Sequence, residues 1–405
     1  MSVSVIALRY GPIVAPLLTV DQAQALVLAR CRLLASEPVA LAEATGRITA
    51  ESARAQVDLP PFPSSAMDGY AVRAADVPGL LALVGRIAAG RPAERVLAEG
   101  EAMEISTGGV VPEGADAVAP VEIVTVHDDT VHVPDPLEPG THVRPRGGDA
   151  RSGDVVVPAG VRLAATQLGA LAAAGVAEVA CTLRPRVAVL ATGSELVQPG
   201  TPLSPGQVYE ANALMLASAL ASVGAHVGRL PAVADDEGAH RAAIERGLEA
   251  DVLVTSGGVS VGPHDLVRNI EAELGVEEVF WGVAVKPGKP VAFGVRGGTL
   301  VFGLPGNPVS SLVGCELFVK PALRALQGLA DPLPRFEHGR LASSLRRNAA
   351  RDELVRARIE DGALTPLTGQ ESHMIARAAA ANALVHVPRG EGTLDAGAEV
   401  RWLRI

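Results

Sequence analysis

Lysine is almost missing from this sequence. Of 35 basic residues only Lys286, Lys289 and Lys320 are lysines, so Arg serves wherever an ordinary surface cation is wanted. Aromatic residues make up 3% of the chain, too few for a base-stacking platform, and a formal net charge of −10 disfavours nucleic acid further. The three cysteines, Cys31, Cys181 and Cys315, stand far apart without CxxC or His/Cys spacing, which argues against a disulfide framework and against a zinc site. They read as buried small hydrophobes. No uninterrupted apolar run approaches a membrane span, and the apolar N-terminal stretch is broken by Arg9, Pro12 and Pro16 with no basic residue ahead of it. The expectation is a soluble, cytoplasmic protein with neither nucleic-acid nor membrane partners.

What is present is a long chain that changes character along its length. At 405 residues it exceeds one core of typical size, and two to four domains are expected. Residues 19–35 predict an amphipathic helix opened by a Thr19/Gln22 capping box. From about 53 to 160 short Val-rich runs alternate with Pro/Gly turns, the pattern of a β-rich insertion. Helical pattern returns at 164–175. Strands and helices then alternate from 185 to 328, with Asn212, Asp235 and Asn307-Pro308 read as helix starts, which predicts a mostly parallel, three-layer α/β sheet. The stretch from 332 to 405 reads as short strands of a small β-barrel. The boundaries are thus 17–52 with 150–182 (helical, linking), 53–149 (β-rich), 183–328 (α/β) and 332–405 (barrel).

In the α/β part ATGSEL, TSGGVSVGPHD and GLPGNPVSS each end a predicted strand with a Gly turn. Such turns gather outside the carboxyl ends of parallel strands, which would bring Glu195, Ser260, Asp265 and Asn307 to one crevice. Glycines let backbone N–H groups approach phosphate oxygens, and helix N-termini favour negative charge. Glu195 and Asp265 also read as acidic residues at helix starts, and Asp235 as a cap. Carboxylates beside phosphate-binding turns would suit Mg²⁺. The counter-charge is VKPGKP, where a Pro-Gly turn sets the Lys286 and Lys289 ammonium groups three residues apart, a compact site for a tetrahedral oxyanion. RPRGGD (144–149) is a second basic turn. PPFPSSAMDGYAVR, residues 60–73, places Asp68 before Gly69, a dipeptide that reads first as a tight turn.

SSAMDGYAVR, ISTGGVVPEGADAV, RGGDARSGDVV, ATGSELV, TSGGVSVGPHD, VKPGKPVAFG and LPGNPVSS stand in an order and spacing that resemble the MoeA family, the molybdopterin molybdenumtransferases that include the gephyrin E domain. The resemblance runs from about residue 17 to the C-terminus. It implies an elongated homodimer of four-part protomers that inserts molybdate into adenylylated molybdopterin with Mg²⁺ and releases AMP. It further implies functional roles for Asp68, Thr107, Asp149, Glu195, Asp235 and Asp265, with Glu195 and Asp265 as the metal-binding pair. Ser260, Lys286, Lys289, Arg356 and Ser372 match positions implicated in molybdate binding, and Pro305, Asn307 and Pro308 belong to the substrate-binding LPGNP turn. By the same resemblance Asp68 and Thr107 reach a composite cleft completed by the partner protomer. An adenylyltransferase for the pterin and recipient molybdoenzymes are the implied protein partners. Two departures matter: Phe62-Pro63 stands where the family has Phe-Asp, and TSGGVS lacks the GGTG of the related adenylyltransferases. The alternatives are an adenylyltransferase-like nucleotide enzyme on the same sheet and a non-catalytic scaffold of the gephyrin kind.

Overall fold

Thr19 and Gln22 cap the first helix reciprocally: the Gln22 N–H donates to Thr19 Oγ1 at 3.2 Å and the Thr19 N–H to Gln22 Oε1 at 2.9 Å. That helix, α1 (Val20–Leu28), is shorter than the 19–35 expected: Ala29 is its C-cap, a turn follows at 29–30, and 36–40 runs as strand. The computed structural model describes residues 17–234, 236–258 and 266–405. They form two units, Glu37–Cys181 and, separately, the residues up to Ser36 with Thr182–Ile405. Ala23 and Val27 of α1 pack in the core of the second of these, whereas the sequence reading grouped this helix with 150–182.

In the unit Glu37–Cys181 a six-stranded half-barrel consists of β1 (Gly69–Val72), β2 (Gly79–Ile87), β3 (Glu101–Ile105), β4 (Ala117–Pro120), β5 (Thr125–His127) and β6 (Thr130–Val133). Their order is β4-β1-β3-β2-β6-β5. Side chains alternate between its faces: Val72, Ala102, Ala117 and Ala119 enter one cluster, Ala71, Met103 and Val118 the other. The remaining core of this unit gathers Val39, Ala55, Leu163 and Val179 around Leu171 of α2 (Ala165–Ala173).

The other unit carries the α/β sheet. Its elements are β7 (Arg186–Ala191), α3 (Asn212–Ala221), β8 (His226–Arg229), α4 (Glu237–Gly247), β9 (Val252–Ser256), α5 (Leu266–Glu273) and β10 (Glu277–Trp281). After β11 (Val285–Lys286) follow β12 (Ala292–Arg296), β13 (Thr299–Leu304), α6 (Pro308–Gly314) and α7 (Lys320–Leu326). The sheet order is β8-β7-β9-β13-β12-β10, with β8, β7, β9 and β13 parallel as expected and the β12–β13 hairpin antiparallel. Val187 and Val189 face α1, α3 and α7, while Ala188 and Leu190 face α4 and α5, so both faces are covered. This double burial is why RVAVLA reads as an unbroken apolar run.

A closed barrel ends the chain, made of β14 (Glu337–Leu341), β15 (Asp352–Glu360), β16 (Ala363–Pro366), β17 (Ala383–Val387) and β18 (Glu399–Arg404). Strand β15 pairs with both β16 and β17 and so closes the ring β15-β16-β14-β18-β17. Val355, Ala357, Val385 and Trp402 fill it. Strand β11 joins its edge in parallel register with Lys286 opposite Glu353. The cysteines are free, and burial pushes the Cys31 thiol up to about 12, which leaves it a packing residue and not a nucleophile. Among the described residues no helix is long and apolar enough to cross a membrane.

Candidate functional site

Asp68 stands at the mouth of the half-barrel, and Gly69 is not a turn glycine. It begins β1 between Ile105 and Pro120, and a Cβ there would lie 2.1 Å from the Ala119 carbonyl oxygen. Only glycine lets the strands approach so closely. The exposed Asp68 carboxylate reaches the STGG loop: Oδ1 accepts from the Thr107 N–H at 2.7 Å and from Thr107 Oγ1 at 3.0 Å. Both donors favour the ionised form, the backbone N–H most, and hold the carboxyl below its ordinary value. The STGG loop is itself anchored, since the Gly108 N–H donates to the Ser65 carbonyl and the Ser65 N–H to that of Gly109, each at 2.9 Å.

Asp149 lies on a neighbouring loop of the same unit, exposed, with its N–H bonded to the Leu59 carbonyl at 2.9 Å. Of the two arginines in the turn before it, Arg146 is engaged within the unit. Arg146 Nε donates to Asp58 Oδ2 at 2.6 Å, and the Ser152 N–H donates to Asp58 Oδ1 at 2.9 Å. These contacts lower the Asp58 carboxyl, the Ser152 N–H foremost.

In the α/β part the ends of β7, β9 and β13 converge. A Cβ on Gly257 would sit 2.7 Å from the Thr192 carbonyl oxygen, and Gly257 has φ +101, so glycine is needed twice over where the β7 and β9 turns touch. A cleft of about 600 Å³ opens beside them, lined by Thr192, Glu195, Asn212, Ser256, Asn307 and His373 among others. Glu195 is exposed, in a turn between β7 and the short strand Leu196–Val197, so no helix follows it directly and the helix-start alternative does not apply. Pro308 occupies the first turn of α6 with Asn307 as its cap residue; Asn307 makes no side-chain cap bond, and Pro305 is buried.

A polar network invisible to the motif reading holds the Pro305–Asn307 turn. Asn212 Nδ2 donates to Ser256 Oγ at 2.9 Å and to the Gly306 carbonyl at 2.7 Å. Ser256 Oγ lies 3.2 Å from Ser311 Oγ, whose hydroxyl donates to the Pro305 carbonyl. Helix α3 begins at Asn212 as expected, but its free N–H is met by Glu210, whose Oε1 accepts from the Ala213 N–H at 2.7 Å, so Asn212 is released to bridge the strand ends. The available signal was a pair of hydroxyl residues, Thr255 and Ser256, closing the apolar run Val252–Val254, with Ser256 buried to 2% exposure. The cap residue of helix α4 is Asp236, which accepts from the Ala239 N–H at 2.7 Å, where the sequence pattern points to Asp235. Asp235, Ser260 and Asp265 lie outside the described residues.

The three lysines separate by environment. Lys320 pairs with Glu316 one helical turn away and is structural. Lys286 Nζ donates to Glu353 Oε1 at 2.9 Å across the β11–β15 register. Lys289 is exposed and makes no ion pair among the described residues. Arg356 is 1% exposed and its guanidinium bonds the 369–374 loop, while the Ser372 carbonyl on that loop accepts from the Val309 N–H at 3.0 Å, beside the cleft. Glu195, Asn307 and Pro308 therefore share one cleft, with Ser372 at its edge, and Asp68 and Thr107 touch one another.

Among the described residues no group of three His, Cys, Asp or Glu side chains could cage a metal. The exposed Glu195 carboxylate does fit the manner in which Mg²⁺ is ordinarily held, by one or two carboxylates with substrate phosphates supplying further oxygens.

Comparison with known proteins agrees with this architecture part by part. Residues 18–175 match the model for the MoeA N-terminal region (domain I and II), 188–325 a probable molybdopterin binding domain, and 338–405 the MoeA C-terminal region (domain IV). Molybdopterin molybdenumtransferase 2 of Mycobacterium tuberculosis (strain ATCC 25618 / H37Rv) is 37% identical over 400 residues, 95% of this chain and 98% of its own length. Molybdopterin molybdenumtransferase of Haemophilus influenzae is 39% identical over 77% of this chain and 78% of its own. The crystal structure of a molybdopterin biosynthesis MoeA protein from Pyrococcus horikoshii OT3 superposes with a TM-score of 0.85 at 27% identity, covering 96% of this chain and 100% of that one. With all three family regions in sequence and relatives matched along nearly their whole length, this chain belongs to the MoeA family, the molybdopterin molybdenumtransferases of molybdenum cofactor biosynthesis.

Proposed function

We propose that this enzyme inserts molybdate into the dithiolene of adenylylated molybdopterin and releases AMP. The observation that carries the reading is the cleft at the ends of β7, β9 and β13, where glycine turns bring backbone and the Asn212–Ser256 network to one opening of about 600 Å³. Such an opening is of a size for a nucleotide-linked ligand. Asn212 and Ser256 fix the Pro305–Asn307 turn, so that its backbone meets the ligand without reorganising. Glu195 holds Mg²⁺ together with the substrate phosphates; when bound, the ion offsets their negative charge. Asp265 joins Glu195 as a ligand, and Asp235 and Ser260 serve the same ligand, as the resemblance implies.

Molybdate, the second substrate, is assigned to Lys289 and Lys286, the former exposed and the latter balanced by Glu353. Ser372 lies on the adjoining loop. Asp68, ionised and locked to Thr107, acts with Asp149 in the same reaction, and a homodimer brings the Asp68 loop of one protomer to the cleft of the second. The enzyme works in the cytoplasm, between an adenylyltransferase that supplies the pterin and molybdoenzymes that accept the product.

A defined assay tests this: purified protein with adenylylated molybdopterin, molybdate and Mg²⁺, following AMP. AMP release that requires molybdate is the expected result. Its absence under all three components, with the protein folded, contradicts the reading.

A further inference from the structure

Asn212 opens α3, where an asparagine ordinarily caps, yet its side chain is not used on the helix, since Glu210 Oε1 accepts from the Ala213 N–H. What it does instead fixes the direction of its amide. The Gly306 carbonyl can only accept, so the Asn212 atom 2.7 Å from it is Nδ2. The second Nδ2 hydrogen goes to Ser256 Oγ at 2.9 Å. Ser311 gives its own hydrogen to the Pro305 carbonyl, which leaves Ser256 to donate onward, to Ser311 Oγ at 3.2 Å or the Pro305 carbonyl at 3.4 Å. Every hydrogen in this chain runs away from Asn212, toward carbonyls that cannot return one. Both donors of the amide are spent.

One polar atom of the side chain is left. Oδ1 takes no hydrogen bond among the described residues, although an amide oxygen can accept two. Asn212 is half-buried and lines the cleft of about 600 Å³ beside Thr192, Ser256 and Asn307. An acceptor there, kept from turning by two bonds on its nitrogen, discriminates by sign: it repels ionised phosphate and molybdate oxygens, which are acceptors themselves, and suits a group that carries hydrogen. Flipping the amide to offer Nδ2 to an anion would set two oxygens against each other at the Gly306 carbonyl.

We propose that Asn212 is a substrate-binding residue whose Oδ1 accepts a hydrogen bond from a neutral N–H or O–H group of the ligand. This rests on the function proposed above, in which adenylylated molybdopterin offers such donors in both halves: the ribose hydroxyls and adenine amine of the adenylate, and the ring N–H groups of the pterin. A site built to accept a substrate hydrogen rejects analogues without it far more strongly than one built on apolar contact.

The test is binding, with molybdate left out. Wild-type enzyme and Asn212→Ala are titrated by calorimetry with adenylylated molybdopterin, AMP and molybdopterin. Adenylylated molybdopterin should bind about ten-fold more weakly to the variant, with the same loss in whichever half carries the donor and affinity within about two-fold of wild type for the other half. An equal loss for both halves, or none for either, overturns the proposal, since a residue that only ties down the Pro305–Asn307 turn favours neither donor. A second measurement needs no substitution. With asparagine side chains labelled in carbon-13, the Asn212 Cγ resonance of wild-type enzyme should move downfield on saturation with adenylylated molybdopterin, as an amide carbon does when its oxygen takes a new hydrogen bond. An unmoved resonance overturns the proposal even where Asn212→Ala does not fold. Wild-type enzyme that binds none of the three ligands contradicts the proposed function, and the role of Asn212 falls with it; binding with an unmoved Cγ contradicts the role of Asn212 alone.

Discussion

The Asp68 loop and the α/β cleft hold their functional groups in opposite ways. At Asp68 the work is done by backbone: a glycine strand start pressed against the Ala119 carbonyl, and a threonine N–H that fixes an exposed carboxylate. In the cleft it is done by side chains, with Asn212, Ser256 and Ser311 from three separate elements tying down the Pro305–Asn307 turn. The first arrangement tolerates little change of shape and much change of polarity. The second reverses this, since every buried hydroxyl removed leaves partners unsatisfied.

The comparison can be broken most forcefully at Gly69. Gly69→Ala puts a methyl group 2.1 Å from a carbonyl oxygen in the half-barrel, and a loss of about 3 kcal/mol or more is expected in urea melts. Wild-type stability would show that β1 and β4 can separate cheaply. Lys289→Ala comes next: the half-saturating molybdate concentration should rise about ten- to hundred-fold, one charge-assisted contact of about 1.5 to 3 kcal/mol, with little change for the pterin. A shift of the pterin constant alone would move KPGKP to the pterin phosphate.

Ser256→Ala should cost about 1 to 3 kcal/mol of stability, and pairing it with Asn212→Ala should cost less than the sum. Strict additivity would mean that the two side chains do not form a network. The smallest effect concerns pH. The carboxyls of Asp58 and Asp68 both lie below their ordinary value when folded, so their contribution is complete above the unfolded carboxyl value and is lost as pH falls through the folded ones. Protection of the Thr107 and Ser152 amides, which donate to them, taken relative to their intrinsic exchange rates at each pH, should therefore hold at neutral pH and be lost only in the acid range, below the ordinary carboxyl value. Protection lost already near neutral pH would contradict the assigned bonds.

How much of this was legible in the sequence depends on how local the cause was. RVAVLA announced a strand buried on both faces, and the Thr19/Gln22 box placed a helix start, because both signals are complete within a few residues. Gly69 was open to misreading as a turn, since the carbonyl that requires it belongs to Ala119, fifty residues on. Asn212 resembles a cap by type, yet Glu210 captures the helix N–H and frees it for Ser256. Asp235 and Asp236 are equivalent to any propensity argument, and only geometry chooses Asp236. For Arg356 the charge was visible and its partners were not, since carbonyls of a distant loop leave no mark in composition.

The most direct test of the account is AMP release by Asp68→Asn. Asparagine keeps an Oδ1 that can accept from the Thr107 N–H and hydroxyl, so the latch survives while the charge is removed. The account predicts a folded enzyme whose Thr107 amide is protected no less than in wild type at acid pH, where Asp68 is likewise neutral, with AMP release lower by about a hundred-fold or more. Near-normal release from a folded, latched Asp68→Asn enzyme would show that this carboxylate only fastens a loop, and would contradict its place in the reaction.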